Sequence, residues 1–269
     1  ALFAKRSPDE PFVLLWGSDH LVKEEQLFRR VLKYAGELVT RDPNKMIFVG
    51  QKPRYANQNL GWIEYGAQRS SENGINVYEF KGLKYRPDLN TALQFFNDGH
   101  HAWNLGYFVT TPKFLWGLFK EFAPELYKEL EKIQKAYGTK DFDSVISEIY
   151  PKLEKISFDD AVLEKLDHKY AQVISENLGW SDVGAWDALK EALETYPADN
   201  VTRGKTVLKD TTDSLVYNFD DKKLVVCIDV DAAIVVNTPD VILITKKTSV
   251  PKVKKLVESF AKTEYEELT

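Results

Sequence analysis

The stretch that decides the fold is Phe12-Val13-Leu14-Leu15-Trp16-Gly17-Ser18-Asp19. Its apolar residues stand between a proline and a small polar cluster, which is typical of a short, fully buried strand that ends in a loop. Over residues 22–39 the apolar side chains recur every three or four positions, so they share one face of a helix. A further apolar run at residues 46–49 predicts another buried strand. Strand, helix and strand of these lengths predict a βαβ unit, and hence a parallel sheet with right-handed crossovers.

The remaining chain has two textures. Up to residue 196, predicted strands (75–80, 107–109 and 170–175) alternate with predicted helices (88–96, one opening at Thr111-Pro112, 125–137, 141–150 and 183–193). Beyond it, short strands separated by turn residues (206–208, 214–217, 224–228, 233–236 and 241–244) precede an amphipathic helix at 250–260. We therefore predict an α/β domain over residues 1–196 and a small β-rich domain, a solenoid or a sandwich, over residues 197–269.

Composition excludes several classes of function. The 269 residues carry 36 basic and 41 acidic side chains, a net charge of -5, without a long basic run, which disfavours nucleic acid as a partner. No apolar run approaches the roughly 18 to 20 residues that span a bilayer, and residues 1–6 do not open a signal peptide. The single cysteine, Cys227, cannot form a disulfide within the chain. These features predict a soluble cytoplasmic protein without a membrane partner.

Two aspartates stand where chemistry is expected. Asp19 follows the first predicted strand, and Asp182, within Trp180-Ser181-Asp182-Val183-Gly184, lies between a predicted strand and a helix. Open α/β sheets bind ligands beyond the carboxyl ends of their strands. Two carboxylates from two loops can hold a Mg²⁺ ion, which keeps several waters and also binds phosphates. The alternative for each aspartate is a helix N-cap.

A third cluster contains an amide between an aromatic residue and a glycine, Trp103-Asn104-Leu105-Gly106. Amides can pair with sugar hydroxyls, and the C–H faces of a sugar can stack on aromatic rings. A turn with a packed tryptophan explains the same residues equally well. The sequence contains no nucleophile elbow, HExxH motif or P-loop, so it gives no support for covalent catalysis or P-loop hydrolysis.

Taken together, these motifs resemble those of the mannose-1-phosphate guanylyltransferases, which are sugar nucleotidyltransferases. The segments that carry the resemblance run in order along the chain: Trp16-Gly17-Ser18-Asp19-His20, Leu60-Gly61-Trp62-Ile63-Glu64, Tyr85-Arg86-Pro87-Asp88, Trp103-Asn104-Leu105-Gly106, Ser157-Phe158-Asp159-Asp160-Ala161-Val162-Leu163-Glu164-Lys165 and Trp180-Ser181-Asp182-Val183-Gly184. The family patterns are LPxDH, GYGYIE, EKPD, WNSG, S(I/V)DYAVMEK and WSDVG. The last two are the most specific, and the β-rich tail resembles the family's β-helical segment.

The resemblance implies a Rossmann-like nucleotidyltransferase domain followed by a left-handed β-helix-like domain. It implies transfer of a nucleotidyl group from GTP to mannose 1-phosphate, with release of pyrophosphate and Mg²⁺ as cofactor. Asp19 and Asp182 become the catalytic metal ligands. The sugar-phosphate-binding residues become Gly61, Arg86, Asn104 and Asp159. The resemblance also suggests a homodimer.

The chain departs from the family at several positions. Tyr85 replaces a sugar-binding glutamate, Arg86 replaces a lysine, and Asn59, Leu105 and Gly17 replace a glycine, a serine and a proline. The Gly-rich GGxGxR loop that cradles the triphosphate occurs nowhere in the 269 residues, so we expect an N-terminally incomplete domain. The departures keep two alternatives open: a catalytically inactive homologue that binds a nucleotide sugar or regulates an active paralogue, and a structural partner without a ligand.

Overall fold

The structure is a computed structural model that describes residues 1–17, 19–196 and 198–268. Its α-helices are α1 (Leu2–Arg6), α2 (Glu25–Arg41), α3 (Leu89–Asp98), α4 (Pro112–Phe122), α5 (Pro124–Ala136), α6 (Phe142–Ile149), α7 (Phe158–Ala161), α8 (Trp186–Leu193) and α9 (Pro251–Glu258). Its strands are β1 (Phe12–Leu15), β2 (His20–Val22), β3 (Met46–Gln51), β4 (Gly61–Glu72), β5 (Ile75–Tyr85), β6 (His101–Thr110), β7 (Ala171–Glu176), β8 (Trp180–Asp182), β9 (Val201–Arg203), β10 (Thr206–Lys209), β11 (Leu215–Asn218), β12 (Val225–Ile228), β13 (Ala233–Asn237) and β14 (Ile242–Lys246).

The chain divides into two compact units. The first comprises Ala1–Ser18 with Lys23–Leu178, and the second comprises Asp19–Val22 with Gly179–Thr269. The short segment that contains Asp19 therefore belongs with the C-terminal part of the chain. The predicted domains over residues 1–196 and 197–269 stay a prediction, because a compact unit of the structure is not the same as a region that folds independently.

The first unit is built on a mixed sheet with the strand order β1-β6-β3-β7-β5-β4. Strand β3 runs parallel to β7, but β6 is antiparallel to both β1 and β3, and β5 is antiparallel to β7. The prediction of a parallel sheet was therefore wrong, because the sheet is mixed. Strand β6 lies between β1 and β3. The prediction failed because strand-helix-strand periodicity identifies the elements but not which strands are neighbours in the sheet.

Burial follows position in this sheet. Every residue of the central strand β3 is buried, as predicted. Strand β1 alternates between half-buried and exposed residues, so the prediction of a fully buried strand was wrong there. The reason is that β1 lies at the edge of the sheet, where one face of the strand meets solvent.

A local cap marks the start of α4, and aromatic contacts fill the core of the sheet. The Thr111 hydroxyl accepts a hydrogen bond from the Phe114 amide at 3.1 Å, and Pro112 occupies the first turn, so α4 begins where predicted. Inside the core, the Phe48 ring stacks on Phe80 at 4.7 Å and meets the edge of Phe108 at 5.0 Å between ring centroids. These aromatic pairs join side chains of three strands, β3, β5 and β6, within the core.

The second unit is mostly β-structure, with parallel strands that repeat along the chain. Leu215 pairs with Val201 and with Ile234, and β10 pairs in parallel with β12. The side-chain Nδ2 of Asn237 donates a hydrogen bond to the side-chain Oδ1 of Asn218 at 2.7 Å, across a chain separation of 19 residues. The last strand, β14, pairs antiparallel with β13, and α9 follows it. The offset between paired residues is 14 in the β9–β11 ladder and 19 in the β11–β13 and β10–β12 ladders. Successive parallel ladders of this kind are typical of solenoids, in which each turn stacks on the one before.

Candidate functional site

Asp19 and Asp182 lie at the same end of a small antiparallel pair of strands, Asp19 directly before β2 and Asp182 at the end of β8. Strands β2 and β8 place His20 directly opposite Asp182, so Asp19 comes one residue before the position that faces Asp182. Both aspartates are exposed. The edge of the His20 ring packs on Trp180, with the ring centroids 4.9 Å apart, and this contact holds the two strands together. The structure thus brings the two predicted metal ligands to one end of one sheet.

Neither aspartate caps a helix. The Asp182 Oδ1 atom accepts a hydrogen bond from the Gly184 amide at 3.1 Å, whereas α8 begins at Trp186 after Ala185. Asp19 is separated from α2 by strand β2, and the N-terminal residue before α2 is Glu24. The helix-cap alternative is therefore wrong at both positions, because neither carboxylate is at the start of a helix.

Gly184 matters for the position of the Asp182 carboxylate. A Cβ atom on Gly184 would lie 3.0 Å from Asp182 Oδ1, closer than side chains normally approach. The short turn therefore fixes one carboxylate oxygen and leaves the other for a ligand.

The donor set of this sheet end fits a magnesium ion. Among the described residues, no group of three or more histidine, cysteine, aspartate or glutamate side chains is arranged to hold a metal. Magnesium usually binds through one or two carboxylates and keeps several waters, so the two carboxylates of Asp19 and Asp182 suffice for it. A zinc site would need more protein ligands.

A second group of predicted residues meets in the first unit. Gly61 on β4 lies opposite Tyr85 on β5 and opposite Asn104 on β6. A Cβ atom on Gly61 would come within 3.2 Å of Asn104 Cβ and 3.6 Å of its Nδ2 atom. Glycine at this position therefore lets the Asn104 side chain lie close against the backbone of β4.

Arg86 follows strand β5 at the same end of the sheet. It is exposed and has a positive φ of 43°, which side chains other than glycine adopt only at some cost. Its amide donates to the Leu60 carbonyl at 3.2 Å, which ties it to the residue before Gly61. Its guanidinium carbon lies 5.1 Å from the centroid of the Tyr85 ring. A cation–π contact of this kind holds a guanidinium in place while leaving its donors available.

Asn104 stands beside an irregularity in strand β6. The register of β6 on β3 shifts between Val49 and Gly50, where Leu105 and Gly106 are extra on β6. Gly106 has a φ of 69°, and its amide donates to Asn104 Oδ1 at 3.0 Å. Bulges of this kind redirect a side chain next to functional sites. The bulge therefore fixes the amide of Asn104, with Oδ1 engaged and Nδ2 on the Gly61 side.

Asp159 lies on a different element, the short helix α7. Ser157 caps that helix by accepting the Asp160 amide at 3.1 Å. Asp159 is half-buried, and this burial raises the pKa of its carboxyl group; the neighbouring charges of Asp160 and Glu164 raise it further. A carboxylate held in an unfavourable setting is a candidate functional group.

This raised pKa predicts the behaviour of Asp159→Asn. Above the raised pKa the folded protein holds a charge that the unfolded chain tolerates better, so the neutral variant should have a slightly higher Tm at pH 7, by about 1 °C. The difference should vanish as the pH falls through the raised pKa, where the native carboxyl is protonated. Thermal unfolding at several pH values checks this, with the exposed Asp143→Asn as control. A gain that persists at low pH would contradict the assignment.

The structure thus assembles the predicted residues into two sets. Gly61, Arg86 and Asn104 meet in the first unit, and Asp19 and Asp182 meet in the second. Asp159 belongs to the first unit but lies on a separate element. That Gly106 orients the Asn104 side chain was not predicted from the sequence. The signal that could have shown it is the Asn-x-Gly spacing, in which the asparagine side chain accepts a hydrogen bond from the backbone amide two residues later.

Comparisons with known proteins agree with these motifs. A family model described as nucleotidyl transferase matches residues 1–199. The mannose-1-phosphate guanylyltransferase of Escherichia coli strain K12 is 30% identical over 261 residues, 96% of this chain and 53% of its own length. Mannose-1-phosphate guanylyltransferase 2 of Escherichia coli O157:H7 is 29% identical over 94% of this chain and 52% of its own length. The chain therefore spans about half the length of these relatives.

A solved structure has the same fold. The crystal structure described as mannose-1-phosphate geranyltransferase from Thermus thermophilus superposes with a TM-score of 0.79 at 26% identity, and the match covers 96% of this chain and 72% of that one. The mixed α/β fold is accordingly a nucleotidyltransferase fold. Within the described residues, no helix is both long and apolar enough to cross a membrane.

Proposed function

Because this chain belongs to the nucleotidyl transferase family, we propose that it provides the sugar-phosphate-binding and metal-binding parts of a mannose-1-phosphate guanylyltransferase-like enzyme. The observation that carries the proposal is the meeting of Gly61, Arg86 and Asn104 at one end of the β4–β5–β6 strands. That group offers a cation for a phosphate and an amide for a sugar. The relatives named above are themselves named as transferases, which supports catalysis over the binding-only alternative.

The proposed reaction needs no nucleophile from the protein. An oxygen of the sugar 1-phosphate attacks the α-phosphorus of GTP, a new phosphorus–oxygen bond forms, and the bond to the β-phosphate breaks. The electron pair leaves with pyrophosphate, and the product is GDP-mannose. The protein contributes by positioning the reactants and by compensating charge on their phosphates.

Arg86 suits the phosphate of the sugar 1-phosphate. Its planar guanidinium can donate two parallel hydrogen bonds to two phosphate oxygens, which a lysine cannot do. Asn104 presents Nδ2 as a donor to a sugar hydroxyl oxygen, since its Oδ1 already accepts the Gly106 amide. Asp159 would accept from a sugar hydroxyl.

Asp19 and Asp182 would hold the Mg²⁺ ion. When bound, the ion would neutralise negative charge on the triphosphate. The Gly184 amide keeps the Asp182 carboxylate oriented whether or not a metal is present.

Three further features belong to this proposal. The parallel ladders of β9, β11 and β13, and of β10 and β12, support a β-helix in the C-terminal region, and the resemblance to the family supports its left-handed sense. The resemblance to the family supports a homodimer and a cytoplasmic location.

The direct test is a titration of the chain with mannose 1-phosphate by calorimetry, followed by an assay of pyrophosphate release with GTP and Mg²⁺ on the full-length gene product. We expect saturable binding in the first and release in the second. Glucose 1-phosphate and inorganic phosphate serve as comparison ligands for the sugar, and ATP and UTP for the base. If no sugar 1-phosphate binds and no nucleotide yields pyrophosphate, the proposal is wrong.

Arg86 gives a sharper prediction. Arg86→Ala should weaken mannose 1-phosphate binding by about 10- to 100-fold, because a charge-assisted contact to the phosphate is lost. Arg86→Gly should lose the same affinity for mannose 1-phosphate. Its free energy of unfolding should be about 1 kcal/mol higher than that of the alanine variant, since glycine adopts the positive φ freely. Calorimetry and urea unfolding measure the two effects. The control is Lys84→Ala, which removes an exposed cation from β5, the strand before Arg86, and should bind normally.

A further inference from the structure

The side chain of Trp16 is an exposed aromatic surface beside the sugar-phosphate residues of the first unit. It follows the edge strand β1, and its side chain is 57% exposed, an unusual degree for an indole. Its amide donates to the Gly106 carbonyl at 3.2 Å, so it continues the β1–β6 pairing past the end of β1. This contact places Trp16 on the bulge that orients Asn104.

The backbone at Gly106 is shaped to receive this indole. A Cβ atom on Gly106 would lie 3.1 Å from both Trp16 Cβ and Trp16 Cδ1. Glycine here therefore serves both the positive φ of the bulge and the close approach of the ring. The amide of the same glycine holds Asn104 Oδ1 at 3.0 Å, so the indole and the Asn104 amide are both fixed by a single residue.

Trp16 also reaches the helix that carries Asp159. Its ring lies 5.4 Å from the ring of Phe158, tilted by 31°, and Phe158 precedes Asp159 in α7. Phe158 itself is buried, so it supports the indole from the core side. Through these two contacts Trp16 packs against Gly106, whose amide holds the Asn104 side chain, and against Phe158, the residue before Asp159.

We propose that Trp16 is a sugar-binding residue of this site, on which the C–H face of the sugar ring of a sugar 1-phosphate stacks. The inference rests on the proposed function and assigns to the site an aromatic wall at the position where the family pattern has leucine. A half-exposed indole held by a glycine contact and a buried phenylalanine is pre-formed for a flat ligand face, so little ordering is needed when the ligand binds.

Neighbouring groups favour a sugar over a nucleobase on this surface. The polar side chains fixed around Gly106 and Phe158 are an amide and a carboxylate, which pair with hydroxyl groups. Arg86, whose amide donates to the carbonyl of Leu60 beside Gly61, supplies the cation for the attached phosphate. A sugar 1-phosphate combines hydroxyl groups, a C–H face and a phosphate in one small molecule.

The test uses the chain labelled with 5-fluorotryptophan and followed by ¹⁹F NMR. The sequence contains 6 tryptophans, and the Trp16 resonance is identified by its absence from Trp16→Phe. We expect that resonance to move on titration with mannose 1-phosphate, and to stay in place with inorganic phosphate and with GMP. Calorimetry on unlabelled Trp16→Ala should show about 10-fold weaker mannose 1-phosphate binding, largely restored in Trp16→Phe. Leu15→Ala, an equally exposed neighbour, should bind normally.

The outcomes separate this inference from the proposed function. If mannose 1-phosphate binds by calorimetry while the Trp16 resonance does not move, or if Trp16→Ala binds as tightly as the unaltered chain, only the role of Trp16 is wrong. A resonance that moves with GMP and not with mannose 1-phosphate would replace the sugar by a base and overturn the inference. If neither heat nor shift accompanies any sugar 1-phosphate, the proposed function fails, and the inference fails with it.

Discussion

Asp182→Asn should weaken binding of Mn²⁺, used as a spectroscopic substitute for Mg²⁺, by at least about 10-fold. In the full-length gene product it should lower Mg²⁺-dependent pyrophosphate release by about 10²- to 10³-fold, the range typical for loss of one electrostatic group at a reaction centre. Electron paramagnetic resonance of free Mn²⁺ measures the first effect, and initial rates measure the second.

The choice of asparagine makes this change specific. Asparagine has the shape of aspartate, and its carbonyl oxygen can still accept the Gly184 amide that now binds Asp182 Oδ1 at 3.1 Å. The turn after β8 should therefore persist, and only the negative charge is lost. Because Mg²⁺ prefers anionic oxygen ligands, removing one of two carboxylates removes about half of the charge that the protein offers.

Two further variants frame the result. Asp221→Asn changes an exposed aspartate of the same unit and should leave Mn²⁺ binding unchanged. Gly184→Ala keeps both carboxylates but puts a Cβ atom 3.0 Å from Asp182 Oδ1, so it should weaken binding by displacing that oxygen. Equal Mn²⁺ affinity in Asp182→Asn and the unaltered chain, with matching far-ultraviolet circular dichroism, would show that Asp182 is not a ligand.

Local signals in the sequence predicted most of the elements but not their arrangement. The threonine and proline at residues 111 and 112 marked the start of α4 correctly, because a cap depends only on neighbouring residues. The position of β6 between β1 and β3 depends on a segment that begins 50 residues after the end of β3, so periodicity in residues 12–49 could not show it. The exposed residues of β1 follow from that arrangement.

A missed hairpin shows a different limit. Strands β4 and β5 are joined at Asn73-Gly74, whose φ angles of 52° and 80° belong to a tight hairpin turn. The dipeptide is a strong hairpin signal, but the polar, irregular β4 does not show the alternation of a half-buried strand. The sequence analysis therefore predicted the second strand and not the first.

The sequence could predict which residues form the candidate site but not how they are arranged in space. Family motifs pointed to Gly61 on β4, Asn104 on β6 and Arg86 directly after β5, and the register of those strands brings them together. The bulge at Leu105 and Gly106 that orients Asn104 also depends on pairing with β3. Motif resemblance could not reveal Trp16, because the family pattern has no aromatic residue there.

Buried charge in the second unit escaped the sequence analysis altogether. Lys190 on α8 is 1% exposed, yet its ammonium group contacts Glu194 Oε2 at 2.5 Å and also Asp213, which in turn contacts Lys247. Burial by itself lowers the pKa of Lys190, but the hydrogen bonds from its ammonium group to Asp213 and Glu194 outweigh burial and raise it. Burial likewise opposes ionisation of Asp213, and the two lysines more than offset it, so its pKa is lowered. This cluster ties α8 to the loop before β11 and to the end of β14.

Lys190→Met should therefore destabilise the chain by about 3 to 5 kcal/mol, because it leaves Asp213 and Glu194 without their buried cation. Lys247→Met removes a more exposed partner, leaves Lys190 with Asp213, and should cost only about 1 kcal/mol. Urea unfolding measures both, with Lys254→Met, whose side chain is 85% exposed, as the neutral control.

The pH dependence of unfolding supplies an independent check on that cluster. Asp213 has a lowered pKa, so its contribution is complete above its ordinary value of 3.8 and is lost as the pH falls through the lowered value. Lys190 has a raised pKa, so its contribution is complete below 10.5 and is lost as the pH rises through the raised value. The gap in stability between the unaltered chain and Lys190→Met should accordingly be constant across neutral pH and narrow at both extremes. A Lys190→Met variant as stable as Lys254→Met would mean that the cluster contributes nothing to folding.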